Sequence, residues 1–308
     1  MALALDYRIE PLPVEPSGLT ISQTRYPVAQ AGKPLHLVWG GRYLWFTDSA
    51  NRIGRRFQES GEIKLFARKQ GAFPTRLAEW FKAGEQRLLY IDPEGGFVGV
   101  LTGDGRMSEH AFPGARPQAV SQEADEVLIG CAAAPFLLRA RGDTITAVPH
   151  QGQRAVDAVG RGPERYAWYF SGDTLKGIDI ERGMGPTWKL PFAPDIRDLQ
   201  YGTARQHAFY CDEHRDVIGE IVELDRIIEY QLPKGTAPRR VIQGPHGTYW
   251  FTGKGGRSLF YVDAGVAVEL PSARADADLY DLAVGADDTL WFTEPNAGCL
   301  SSAWVKGL

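Results

Sequence analysis

Short apolar blocks recur along the whole chain, rich in aromatic and β-branched residues and separated by Gly, Pro and Asp. Blocks of this kind predict strands joined by turns. The stretch 241–271 shows the pattern well. Val241-Ile242 opens an inner strand after Pro238, and Gly244-Pro245-His246-Gly247 reads as a turn. Tyr249–Thr252 follows, then a turn at Gly253–Gly256, a strand at Leu259–Val262 and a last strand at Val266–Leu270 stopped by Pro271. Tyr-Trp-Phe-Thr is apolar at successive positions, as a strand buried on both faces requires. No stretch of helical length carries a helical period.

The second strand of this unit has relatives throughout the chain. Leu44-Trp45-Phe46-Thr47-Asp48, Tyr249-Trp250-Phe251-Thr252-Gly253 and Leu290-Trp291-Phe292-Thr293-Glu294 are near copies. Weaker copies are centred on Leu89, Leu128, Tyr169 and Phe209. The equivalent positions are 45, 89, 128, 169, 209, 250 and 291, spaced by 39 to 44 residues. A period of ~40–45 residues with four strands per unit is the propeller signature. The expectation is therefore an all-β, seven-bladed β-propeller spanning 1–308 as a single domain, with four antiparallel strands per blade. The last unit ends with Cys299–Val305 and lacks a fourth strand, whereas Leu19–Pro27 (LTISQTRYP) is a spare one resembling the outer strand Ile227–Pro233. Pairing the N-terminal strand into the last blade removes two exposed sheet edges.

Composition narrows the class of partner. Thirty-four basic against 38 acidic residues give a net charge of −4. An acidic balance argues against nucleic acid and against an anionic membrane surface. No apolar run approaches the ~18 residues of a membrane span. The start MALALDYRIEP lacks a basic n-region, and three cysteines without metal-type spacing fit a reduced cytoplasm. These features lead to the expectation of a cytoplasmic monomer acting on a small molecule.

The repeat register also selects candidate chemistry. Second strands end in Asp48, Asp92, Cys131, Gly172, Asp212, Gly253 and Glu294. Inner strands begin near Leu35/His36, Arg76, Gln118, Asp157, Arg197/Asp198, Arg239 and Asp278/Tyr280. Arginine suits bidentate recognition of a carboxylate. Clustered carboxylates suit a hard cation or a general base. Each has a plainer role as well: an Asp at a strand end caps the next turn, and a tyrosine such as Tyr280 is commonly a buried aromatic with a partnered hydroxyl.

The motif G-P-x-G-x-[LY]-W-F-T-[DE] followed by N-x-I-G is carried by Leu44–Arg55 (with Asn51-Arg52-Ile53-Gly54), Gly244–Thr252 and Gly285–Glu294. It resembles the streptogramin (virginiamycin B) lyase family of seven-bladed propellers. That resemblance implies a Mg²⁺-assisted elimination opening a cyclic depsipeptide at its ester, with a His as base and two glutamates helping to hold the metal. Glu294 matches one glutamate. Counting back from it puts Asp278 at the other and Tyr280 at the position of the His. Arg239 falls at the family's substrate-contacting His. The implied site is catalytic Tyr280, Asp278 and Glu294, substrate-binding Arg239, Arg197 and Asp48, and a possible Mg²⁺ on Asp278 and Glu294. Two readings stay open: a lyase or cyclase-like enzyme acting on a small or medium polar natural product, and a non-catalytic small-molecule-binding propeller.

Overall fold

The computed structural model describes residues 5–28, 32–68, 71–82, 85–123, 126–142, 144–150, 156–162, 166–196, 199–202, 206–244, 247–263 and 265–304. Each sequence repeat forms one antiparallel sheet, and the seven sheets make a seven-bladed β-propeller. Blade 1 runs Pro34–Gly40, Tyr43–Asp48, Arg52–Phe57 and Ile63–Ala67, each strand hydrogen-bonded to the next. Blades 2, 3 and 4 repeat this order over 76–111, 117–149 and 158–189. Blade 6 is built from Arg240–Gln243, Tyr249–Gly253, Ser258–Asp263 and Val266–Pro271. Pro245 and His246, in the turn expected there, lie outside the described residues.

The repeat residues have a packing logic. Trp45, Phe46, Trp250, Phe251, Trp291 and Phe292 are all buried. The N-x-I-G glycine lies against the second-strand aromatic: a Cβ on Gly54 would sit inside the Phe46 ring, and one on Gly99 inside the Tyr90 ring. Any larger residue there would push the third strand off the second. Trp80, which falls outside the repeat register, is also buried, among Ala78, Leu89 and Val120.

The chain divides into two compact units. One comprises Met1–Ile9, Gln70–Tyr210 and Gly219–Glu229, and the other Glu10–Lys69, Cys211–Ile218 and Tyr230–Leu308. The second holds blades 1, 6 and 7. Blade 7 consists of Leu282–Val284, Leu290–Glu294, Cys299–Ala303 and, as outer strand, Thr24–Pro27. Thr24 to Pro27 pair antiparallel with Ser302 to Cys299. The N-terminal strand thus completes the last blade, but it is shorter than Leu19–Pro27. Ile21 instead bridges to Ser272 at the edge of blade 6.

The preceding residues also join sheets. Blade 5 is built from Leu199–Gly202, His207–Asp212, Val217–Glu223 and Arg226–Gln231, with Asp6–Pro11 as a fifth strand beside the last, and Val14–Pro16 pairs parallel with Val266–Pro271 in blade 6. Among the described residues, no helix is long and apolar enough to cross a membrane.

Candidate functional site

In blades 1 and 7 the threonine of the W-F-T motif fixes where the inner strand begins. Thr47 Oγ1 accepts from the His36 amide at 3.2 Å. Thr293 Oγ1 accepts from the Asp281 amide at 3.1 Å and donates to the Leu35 carbonyl at 2.6 Å, tying blade 7 to blade 1. Asp281 precedes Thr293 by 12 residues and His36 precedes Thr47 by 11. The turn between the first two strands of blade 1 is one residue shorter, which accounts for the difference: Trp39 pairs with Leu44, five residues on, whereas Val284 pairs with Leu290, six residues on. Arg240, paired with Thr252, is the counterpart in blade 6. Arg240, Asp281 and His36 are therefore one position of the repeat, seen in blades 6, 7 and 1.

These three side chains are joined through the middle one. Arg240 Nε lies 3.0 Å from Asp281 Oδ1, and His36 Nδ1 lies 3.2 Å from Asp281 Oδ2. The Leu282 amide donates to Oδ1 at 2.9 Å and the Leu37 amide to Oδ2 at 3.1 Å. Asp281 is buried, and the Leu282 and Leu37 amides, the His36 ring and the Arg240 cation together explain how a carboxylate is tolerated there. The His36 side chain keeps 14% exposure.

A second layer is formed by the preceding position. Arg239 N donates to Thr252 O and Tyr280 N to Thr293 O, both at 2.9 Å, so these two residues are also equivalents. The Arg239 guanidinium lies 5.3 Å from the centre of the Tyr280 ring, within cation–π range. The Tyr280 ring is in turn 5.6 Å from the His36 ring, tilted by 58°. Arg239 also pairs with Glu213 at 3.4 Å, and both side chains are partly exposed. A cation, a phenol and an imidazole are thus gathered on one partly accessible rim, with a buried carboxylate behind the imidazole.

The other expected residues have different surroundings. Asp278 is half-buried, and its Oδ2 accepts from the Asn296 amide at 3.4 Å. Asp48 is fully buried, caps its turn through the Ala50 amide at 2.9 Å and binds Arg52 Nε at 2.8 Å. Its carboxylate serves the turn, the plainer role of a strand-end Asp. Arg197 lies outside the described residues.

Glu294 is also fully buried, and its carboxylate is held by an arginine from the N-terminal strand. Arg25 Nε lies 3.2 and 3.1 Å from its two oxygens, Arg25 Nη2 bonds to Oε2, and Ser301 Oγ donates to Oε1. On its outer side Arg25 reaches Asp276 at 2.8 Å. Hydrogen bonds donated to Glu294, and then to Asp276, raise the Arg25 pKa above its ordinary value, so this cation is permanent. The implied Mg²⁺ does not fit this arrangement. A guanidinium already neutralises Glu294, and a hard cation would have to displace it while dehydrating in a closed site. Among the described residues, no group of three or more His, Cys, Asp or Glu is placed to hold a metal.

Sequence reasoning brought Arg239 and Tyr280 to one place and placed His36 at an inner-strand head. It passed over Asp281, Arg240 and Arg25. The first two were readable by aligning inner strands on the W-F-T threonine. Arg25 needed the N-terminal pairing register as well.

No family model and no curated protein matches the chain. Solved structures do match. A streptogramin B lyase superposes with a TM-score of 0.79 at 17% identity, covering 92% of this chain and 97% of the other. Virginiamycin B lyase from Staphylococcus aureus superposes at 0.80 and 16% identity, covering 92% and 99%. A catalytically inactive His-to-Ala form of that enzyme, with quinupristin, gives 0.79 at 16% identity, again covering 92% and 99%. In fold, this chain resembles the virginiamycin B lyases along nearly its whole length.

Proposed function

We propose that the protein is a lyase or cyclase-like enzyme acting on a small or medium polar natural product of the cyclic-ester class. The observation that carries this reading is the Arg239–Tyr280–His36 group. An elimination needs a base, a donor for developing negative charge and a group that orients the substrate. Arg239 offers a planar cation for a carbonyl or carboxylate. Tyr280 offers a hydroxyl donor for that developing charge. Asp278 is the nearby expected carboxylate that remains partly accessible. No step is assigned to Glu294 or to a metal. In this reading the protein works as a cytoplasmic monomer.

A second reading is a small-molecule-binding propeller without chemistry. It is favoured by the engagement of Glu294 with Arg25, which removes one of the two carboxylates the resemblance assigns to catalysis. Incubation with a panel of cyclic depsipeptides, quinupristin first, followed by liquid chromatography and mass spectrometry, separates the two. Elimination yields a ring-opened isomer of unchanged mass, whereas hydrolysis adds one water. An enzyme gives the isomer. A binder shifts the ligand's retention on immobilised protein and returns it intact.

A further inference from the structure

We propose that His36, held by Asp281, is the general base of this site. The inference rests on the reading above for its substrate class, but its geometry stands by itself. It moves the base from the head of blade 7, where the resemblance puts Tyr280, to the head of blade 1.

The argument begins with the imidazole's two nitrogens. Nδ1 faces Asp281 Oδ2 at 3.2 Å. A carboxylate at that distance selects the tautomer carrying its proton on Nδ1 and leaves the lone pair on Nε2. Asp281 can do this because it is buried among groups that favour a carboxylate: Arg240, the Leu37 amide and the Leu282 amide all face it. It also stabilises the imidazolium that forms when Nε2 takes a proton. Among the described residues, the charged groups near His36 include Asp281 against Nδ1, Arg240 on the far oxygen of Asp281, and Arg239 across the Tyr280 ring. The His36 amide, on the strand Pro34–Gly40, is fixed by Thr47, and the Asp281 amide, immediately before Leu282–Val284, is fixed by Thr293.

The step balances without a further reagent. Nε2 takes the proton from the carbon next to a carbonyl. The C–H electron pair becomes the new C=C bond, the neighbouring C–O bond breaks, and its pair leaves on the ester oxygen as a carboxylate. The imidazolium then returns its proton to water. Tyr280 and Arg239 face the carbonyl oxygen, where negative charge develops.

Two measurements test the assignment. Long-range ¹H–¹⁵N correlation spectra of the wild-type protein, with His36 identified by its loss in His36→Gln, are expected to show the Nδ1–H tautomer at high pH. An Nε2–H tautomer overturns the proposal. The second uses 5-nitrobenzisoxazole, whose ring opens by base-catalysed loss of one carbon-bound proton. Wild type is expected to accelerate it above buffer, rising with pH through one ionisation, with about a 100-fold loss in His36→Gln. In Asp281→Asn that ionisation should move to lower pH. Rates equal to buffer, or unchanged in His36→Gln, overturn the proposal. Quinupristin left intact by a protein that passes both tests rejects the substrate class and leaves the base. Quinupristin opened equally well by His36→Gln does the reverse.

Discussion

Arg25 and Glu294 are 269 positions apart in the sequence, yet the guanidinium of one lies within 3.2 Å of both carboxylate oxygens of the other. The pair joins the outer strand of blade 7 to the end of its second strand. Removing one member of a buried pair leaves an uncompensated charge, which costs ~3–5 kcal/mol. Arg25→Ala is therefore expected to lower the unfolding free energy by that amount, seen as a lower urea midpoint at unchanged slope. Glu294→Gln, which keeps an acceptor and leaves Arg25 its Asp276 partner, should lose about half as much. A loss within experimental error in Arg25→Ala would mean that the strand is held by its ladder alone.

The same pair decides the metal question. With Arg25 already on Glu294, millimolar Mg²⁺ should leave the melting temperature unchanged at constant ionic strength, and exhaustive chelation should leave any activity intact. A ligand that binds only the folded state raises stability with its concentration. A saturable Mg²⁺-dependent rise in wild type would contradict the arrangement of Arg25 and Glu294 described here.

A pH dependence follows from His150, which is buried beside Tyr169 with ring centres 5.1 Å apart. Burial, and then Lys176, lower its pKa below the ordinary 6.5. The unfolded chain therefore binds the proton more readily than the folded one. The contribution of neutral His150 is fully present above about pH 6.5 and is lost as pH falls through the lower folded value. Stability should thus decline between neutral and mildly acidic pH. His150→Phe, which keeps a ring against Tyr169, should flatten that part of the curve; equal slopes for the two proteins would assign the decline to other groups.

Most of the fold was legible because a strand buried on both faces must be apolar at every position. That requirement makes Trp45-Phe46-Thr47 and its copies stand out at a constant spacing. The edge strands Asp6–Pro11 and Val14–Pro16 carry no such mark. Their residues are partly or wholly exposed, and the main contribution they make to their sheets is backbone pairing. The site was legible in half. Arg239 and Tyr280 follow from counting within one blade. The His36–Asp281 contact spans 245 residues and joins two blades. Counting from the end of the second strand hides it, because the turn between the first two strands is one residue shorter in blade 1 than in blade 7.

Roles within the site separate by kinetics. If Tyr280 donates to a developing oxyanion, Tyr280→Phe should reduce kcat by about 10²–10³ with little change in KM, the value of one such donor being ~2.7–4 kcal/mol. If Arg239 orients the substrate through its planar fork, Arg239→Lys should chiefly raise KM, because an ammonium cannot reproduce two parallel hydrogen bonds. An unchanged kcat in Tyr280→Phe would return that tyrosine to packing beside Arg239.

The location of the site admits the most direct test. A crystal structure with quinupristin or another bound cyclic depsipeptide should place an ester or carboxyl oxygen on Arg239 and the Tyr280 hydroxyl, with His36 Nε2 facing the carbon that loses its proton. His207, whose Nδ1 lies 2.6 Å from the buried Glu220, belongs to the other compact unit and is the natural control. A ligand seated against His207 and Glu220, with Arg239, Tyr280 and His36 untouched, would contradict the account.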